Sequence, residues 1–111
     1  MRVEVLYFEG CPNHLPAVDR VRETLKSQGL PDHVQEIEVR TQADAEAVAF
    51  IGSPSVRIDG IDIEPEARTV KTFGLSCRMY FDGSIRSGLP AGDLIRRAIE
   101  EIAAGDERTL G

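Results

Sequence analysis

Val3-Glu4-Val5-Leu6-Tyr7-Phe8-Glu9-Gly10-Cys11-Pro12-Asn13-His14 is the stretch on which the reading of the fold depends. Its first six residues are rich in β-branched and aromatic side chains and carry apolar ones on both faces, which predicts a strand buried in the middle of a sheet. Gly10 ends that strand. Pro12 suits the first turn of a following helix, where its missing N–H is no loss. Leu15, Val18, Val21 and Leu25 recur at three- and four-residue steps and form the predicted inward stripe of this helix. Gly29 suits its stop, with Pro31 just beyond.

Working outward, Ile37 and Val39 alternate with Glu36, Glu38 and Arg40, the pattern of a half-exposed strand. Thr41 can cap a second helix, with Asp44 three residues on. That helix is expected to turn Ala45, Val48 and Ala49 inward and to end near Gly52. Ser53-Pro54 leads into a strand over Ser55, Val56, Arg57 and Ile58. Asp59-Gly60 is a strong two-residue hairpin signal, with Ile61-Asp62-Ile63 returning. Residues 64–88 are less regular. A last helix is predicted over residues 91–104, with Leu94, Ile95, Ala98, Ile99 and Ile102 on one face. Residues 105–111 read as a frayed polar tail.

The predicted order is β-α-β-α-β-β-α in one domain over residues 1–104. Two strands joined by a helix should be parallel with a right-handed crossover, and the Asp-Gly hairpin makes the last pair antiparallel. The expected class is α/β, with a mixed four-stranded sheet between helices.

At 111 residues the chain has room for one domain and none for a two-domain enzyme that closes over its substrate. Thirteen basic against nineteen acidic side chains leave a net charge of -6, which repels phosphate backbones and argues against nucleic acid as a partner. No apolar run approaches the roughly 18 residues of a membrane helix, and no signal peptide is apparent. A cytoplasmic address is the expectation. Glycine-rich phosphate loops, dinucleotide fingerprints and a serine nucleophile elbow are absent from the sequence. Cys11 and Cys77 are the only cysteines, and in a reducing cytosol they would not form a standing structural disulfide.

The Gly-Cys-Pro turn after the first strand, the Ser-Pro before the third and the element order together resemble the thioredoxin-like superfamily, over roughly residues 3 to 104. The start Tyr7-Phe8-Glu9-Gly10-Cys11-Pro12-Asn13 is similar to that of short bacterial thioredoxin-like proteins. Some of these carry alkylmercury-lyase labels, although that lyase's cysteine-and-aspartate constellation is not recognisable in this sequence. The resemblance implies a thioredoxin-like three-layer sandwich. It also implies a nucleophilic cysteine at Cys11 and a cis-proline at Pro54 that holds substrate backbone, with Pro12 and Ser53 beside the substrate. The sequence departs from the family's commonest Cys-x-x-Cys motif, because the fourth position is His14. Exchange within one turn is impossible, so the second thiol must come from elsewhere or the protein works with one.

Cys11 is expected at the cap of the first helix, where free N–H groups and the positive end of the helix dipole favour thiolate over thiol. His14, one turn on, adds a favourable charge when protonated, and Glu9 opposes. The strand after the hairpin returns toward the Cys11 end of the sheet, so the loop carrying Cys77 should emerge there. Cys77 then serves as a resolving thiol if the two Cα atoms come within about 7 Å, or else packs under the loop as a core residue. Arg78 either favours thiolate and binds an anionic group or is an exposed, solvated side chain, and Arg57 and Arg68 carry the same alternatives.

The leading expectation is a thiol–disulfide redox protein needing no cofactor, monomeric or homodimeric, acting on protein or small-molecule thiols and disulfides. Two others stand beside it. Cys11, His14 and Cys77 suit a thiophilic ion such as mercury(II), copper(I) or zinc. A four-ligand structural zinc site is not supported, with His33 at the far end of the first helix. The third is a non-catalytic adaptor using the acidic edge around Glu36 and Glu38.

Overall fold

Val5, with no exposed surface, lies in the central part of a four-stranded sheet. A computed structural model describes the backbone of residues 1–82 and 85–110, and the side chains of all of these except 82, 85 and 105–110. The strands are β1 (Val3–Tyr7), β2 (Gln35–Glu38), β3 (Ser55–Ile58) and β4 (Ile61–Asp62), in the order β2-β1-β3-β4. The pair β1–β2 is parallel, and β1–β3 and β3–β4 are antiparallel. The protein is thus α/β, with a mixed four-stranded sheet and three helices: α1 (His14–Ser27), α2 (Gln42–Ala47) and α3 (Gly92–Leu110). Asp59 and Gly60 both take positive φ, 52° and 80°, which a two-residue hairpin turn of this hand requires.

Alternation along β1 feeds two cores. Val3 and Val5 join Val56, Ile58 and Ile63 under Val18, Val21 and Leu25 of α1 and Ile95, Ala98, Ile99 and Ile102 of α3. Leu6 points the other way, to Val39, Ala45 and Phe50 on the α2 side. A strand with a core on each face shows no strict polar alternation, which is why the sequence carries apolar residues on both faces with Glu4 as the one charged position.

Several expectations are corrected. Leu15 is exposed, because the buried stripe of α1 is Ala17, Val18, Val21, Thr24 and Leu25, and 3.6 residues per turn puts Leu15 about 120° round the helix from Val21. Pro12 lies outside the helix. The first helical bond runs from the Ala17 N–H to the Asn13 carbonyl, and Pro16 is the proline of the first turn. Thr41 and Asp44 form the expected cap reciprocally, but α2 ends at Ala47. Ala49 adopts a left-handed φ of 55°, so Val48 and Ala49 stay exposed and Phe50 becomes the core residue.

Residues 64–88 hold a 3₁₀ turn, Pro65–Thr69, and an antiparallel pair, β5 (Tyr80–Asp82) and β6 (Ile85–Ser87). The final helix continues through residues 105–110, read from composition as a tail, while Gly111 lies outside the described residues. One glycine inside a helix costs only about 1 kcal/mol relative to alanine, too little to stop it at Gly105. Among the described residues, no helix is long and apolar enough to cross a membrane.

Candidate site at the Ser53–Pro54 loop

After β1 the chain turns through Glu9 and Gly10, whose φ of 87° favours glycine. The Cys11 N–H donates back to the Phe8 carbonyl at 3.2 Å, and the Cys11 carbonyl accepts from the His14 N–H at 3.3 Å. Cys11 is half-buried and its thiol is free. Asn13 is the N-cap of α1 and makes no side-chain cap bond. Cys11 therefore stands two residues ahead of the cap rather than on it, and any influence of the helix dipole reaches it across that extra turn.

The second part of the site is the loop Gly52-Ser53-Pro54-Ser55. All four residues are buried, and the Ser53–Pro54 peptide bond is cis. The Phe8 N–H donates to Ser53 Oγ at 3.4 Å, linking this loop to the strand end that leads to Cys11. Ser55 Oγ donates to the Gly52 carbonyl at 2.6 Å, and the Tyr80 hydroxyl donates to the Pro54 carbonyl at 2.7 Å. Each polar group of this buried loop that appears here has a partner, as burial demands.

Cys77 forms the third part. Ser53 and Cys77 make an isolated parallel bridge. The Ser53 N–H donates to the Ser76 carbonyl at 2.8 Å, and the Arg78 N–H donates to the Ser53 carbonyl at 3.0 Å. The loop after the hairpin thus does return to the Ser-Pro loop. Cys77 is exposed with a free thiol, which corrects the alternative that it packs as a core residue. A continuous path of bonds, Cys11 to Phe8 to Ser53 to the Cys77 segment, joins the two thiol-bearing segments. No disulfide is present between them.

Arg78 overturns the reading of a solvated side chain, being only 6% exposed. Its guanidinium binds Asp62 bidentately at 2.6 and 2.7 Å, reaches Ser55 Oγ at 3.2 Å and lies 4.2 Å from the Tyr80 ring centroid. Burial opposes its charge, but the Asp62 hydrogen bonds and the neighbouring negative charges outweigh that and hold it more firmly protonated than a free arginine. Arg57 donates to the Ala49 carbonyl and Arg68 to Glu101 and the Asp62 carbonyl, so neither faces a thiol-bearing segment through these bonds.

His14 opens α1, and its ring stacks on Tyr7, centroids 3.5 Å apart and planes 6° from parallel. Its Nε2 lies 2.7 Å from Glu36 Oε1. Among the described residues, no hydrogen bond joins this ring to the Cys11 sulfur. Glu36 is hydrogen-bonded by the His14 ring and Glu38 is ion-paired with Arg40, so both carboxylates of the proposed acidic edge already have partners. His33 is exposed, and no group of three His, Cys, Asp or Glu is arranged for a metal among the described residues.

The sequence pattern does not mark Asp62, Ser55, Gly52 or Tyr80 as site residues. The one usable signal was Asp62 between Ile61 and Ile63, a carboxylate in the return strand of a hairpin. A cleft of about 970 Å³ lies between the 3₁₀ turn and α3, lined by residues that include Ile63, Val70, Phe81 and Leu94, and it meets the Cys77 segment at Arg78. Neither cysteine lines it.

Burial, partly offset by the Arg78 charge, pushes the Tyr80 phenol well above its ordinary value near 10. The folded state then holds this proton more tightly than the unfolded chain does. Its contribution is complete below about pH 10 and declines as pH rises beyond the unfolded phenol's value. Urea unfolding measured from about pH 9 to about pH 11 is expected to show falling stability, with a shallower fall in Tyr80→Phe. Equal slopes for the two proteins would contradict it.

No family model, curated protein or solved structure matches this chain.

Proposed function

We propose that the chain has a thioredoxin-like fold and acts as a thiol–disulfide redox protein, with Cys11 as attacking thiolate and Cys77 as resolving thiol. The observation that carries this reading is the buried Ser53–Pro54 loop, bonded on one side to the strand end leading to Cys11 and on the other to Cys77. The parallel β1–β2 pair, the antiparallel β3–β4 hairpin and a cis-proline opening β3 support the fold assignment. The Cys11 thiolate attacks one sulfur of a disulfide, forms a mixed disulfide and releases the other half as thiolate. The Cys77 thiolate then attacks the Cys11 sulfur, releases the second half and leaves a Cys11–Cys77 disulfide. Two electrons pass from the protein's thiols to the substrate.

Within this reading the side chains divide the work. Ser53 and Pro54 set the separation of the two thiol-bearing segments. Arg78 anchors Cys77 through Asp62 rather than binding an anion. His14 anchors the start of α1 through Tyr7 and Glu36, and no proton step is assigned to it. A reducing cytoplasm supplies thiols that return the oxidised form to the dithiol.

Oxidation followed by tryptic digestion tests the pairing. The expected product joins peptide 3–20, which holds Cys11, to peptide 72–78, which holds Cys77. Oxidised protein that yields only disulfide-linked dimers or unpaired peptides would remove Cys77 from the mechanism.

A further inference from the structure

Ser53 accepts through Oγ from the Phe8 N–H, at the strand end leading to Cys11, and bridges to Cys77, so a polypeptide held beside Pro54 would have to pair with the Ser53 backbone. An extended chain docks against another by exchanging main-chain hydrogen bonds along an open edge. At Ser53 that edge is closed. Its N–H is held by the Ser76 carbonyl at 2.8 Å and its carbonyl by the Arg78 N–H at 3.0 Å, and the residue is 1% exposed. The segment that closes it is itself tied down. Arg78 is buried on Asp62, the Gly74 N–H donates to the Phe50 carbonyl at 3.1 Å, and Gln42 Nε2 donates to the Phe73 carbonyl at 2.8 Å. Gly52 shows how closely this cover is seated. A Cβ there would stand 2.9 Å from Arg78 Cβ and 3.3 Å from the Ser76 carbonyl oxygen.

We infer that the chain's own Ser76-Cys77-Arg78 segment occupies the position of a peptide substrate, so that the disulfides this protein reduces are small molecules rather than extended polypeptides. The inference rests on the thiol–disulfide reading above and narrows its substrate class. The accessible reaction is attack of the Cys11 thiolate on a small disulfide R–S–S–R, giving Cys11–S–S–R and RS⁻. Attack by the Cys77 thiolate on the Cys11 sulfur follows, giving the intramolecular disulfide and a second RS⁻. Cys77 is exposed on the cover itself, so its thiol is open to solvent while the cover stays seated.

The test compares two disulfides that share a 2-mercaptoethanol half, on the fully reduced, full-length protein, and counts for the peptide only the turnover that releases 2-mercaptoethanol. One is bis(2-hydroxyethyl) disulfide. The other is an unstructured peptide of about ten residues whose single cysteine is disulfide-bonded to 2-mercaptoethanol, long enough to pair as a strand. Single-turnover rates are divided by those of free cysteine with the same reagents. The expected result is a normalised rate for the peptide no higher than that for the small disulfide. In hydrogen exchange, the Ser53 and Arg78 amides should be strongly protected.

Two new main-chain hydrogen bonds to a docked peptide would instead speed its reaction by about tenfold or more. Such a preference in the wild-type protein overturns the inference, as does rapid exchange of both amides. Gly52→Ala, in which the added Cβ displaces the cover, is expected to raise the peptide rate selectively if it folds, but the wild-type ratio decides. Failure of the underlying reading looks different: Cys11 then reacts with neither disulfide faster than free cysteine does, whatever the protection of Ser53.

Discussion

Replacing Arg78 with alanine is expected to lower the unfolding free energy by about 3–5 kcal/mol, because it strands a buried carboxylate. Asp62 is only 8% exposed, and both its side-chain oxygens face the Arg78 guanidinium. Without that partner Asp62 must either keep an uncompensated charge in a poorly hydrated place or take up a proton. Both outcomes favour the unfolded chain. The neighbouring Glu64 oxygen, 3.4 Å from Arg78, adds a second carboxylate that loses its cation. Urea unfolding would read the loss directly, and Tm should fall by more than about 10 °C for a domain of this size. Two further variants locate the cause. Arg78→Lys keeps the charge but lacks the planar fork, so it should recover only part of the stability. Combining Arg78→Met with Asp62→Leu removes both charges and should recover most of it, since apolar replacements of buried pairs are often neutral or better. A loss below about 1 kcal/mol in Arg78→Ala would mean that the ion pair is solvated in solution, as exposed pairs are.

The same variant bears on chemistry through the backbone. Arg78 contributes its N–H to Ser53 and its side chain to Asp62, so one residue fixes the Cys77 segment to both β3's entrance and β4. Arg78→Ala should therefore slow closure of a Cys11–Cys77 disulfide beyond what reduced global stability explains. The contrast is with an equally destabilising core variant remote from the loop.

Sequence and structure agree where the signals are local. Asp59-Gly60 announces its hairpin because both residues must take positive φ, and the turn residues alone settle that. Thr41 with Asp44 announces the start of α2 for the same reason, a cap made within four residues. Failures cluster where the partner is distant in sequence. Arg78 meets Asp62 sixteen residues away, Tyr80 meets Pro54 at twenty-six, and His14 meets Glu36 at twenty-two. No periodicity in residues 64–88 could show that Arg78 and Tyr80 are what hold that segment in place. The Cys11 turn and the Ser53–Pro54 loop were legible as a pair, but the Ser76–Arg78 cover over Ser53 was not. A hydrogen-bonded segment without helix or strand period leaves no pattern to read. The position of Cys11 relative to α1 differs from the sequence expectation for a related reason. Pro12 and Pro16 both suit a first turn, and only the bond from Ala17 to the Asn13 carbonyl decides between them.

Phe50→Ala is expected to cost about 3–5 kcal/mol, the range for emptying a large aromatic site in a core. The figure is less obvious than for a residue under α1 and α3, because the α2 side of the sheet is thinly covered. Its fully buried members are Leu6, Val39, Ala45 and Phe50, with Phe8 and Ile37 half-buried against them. Ala45 is small and α2 has a capped start, so little can move in to fill the space left by the ring. The backbone at this point also resists collapse. The Phe50 N–H donates to the Ala45 carbonyl at 2.8 Å, and its carbonyl accepts from the Gly74 N–H at 3.1 Å. Shifting Phe50 inward would break the tie between the end of α2 and the segment leading to Cys77. Phe50→Leu keeps most of the volume and should cost clearly less than Phe50→Ala, which urea midpoints of the two variants will show. A loss below about 1 kcal/mol for the alanine would mean that α2 and its cluster add nothing to global stability. The Ser53 loop would then be supported from the α1–α3 side alone, through Tyr80 and its bond to Pro54.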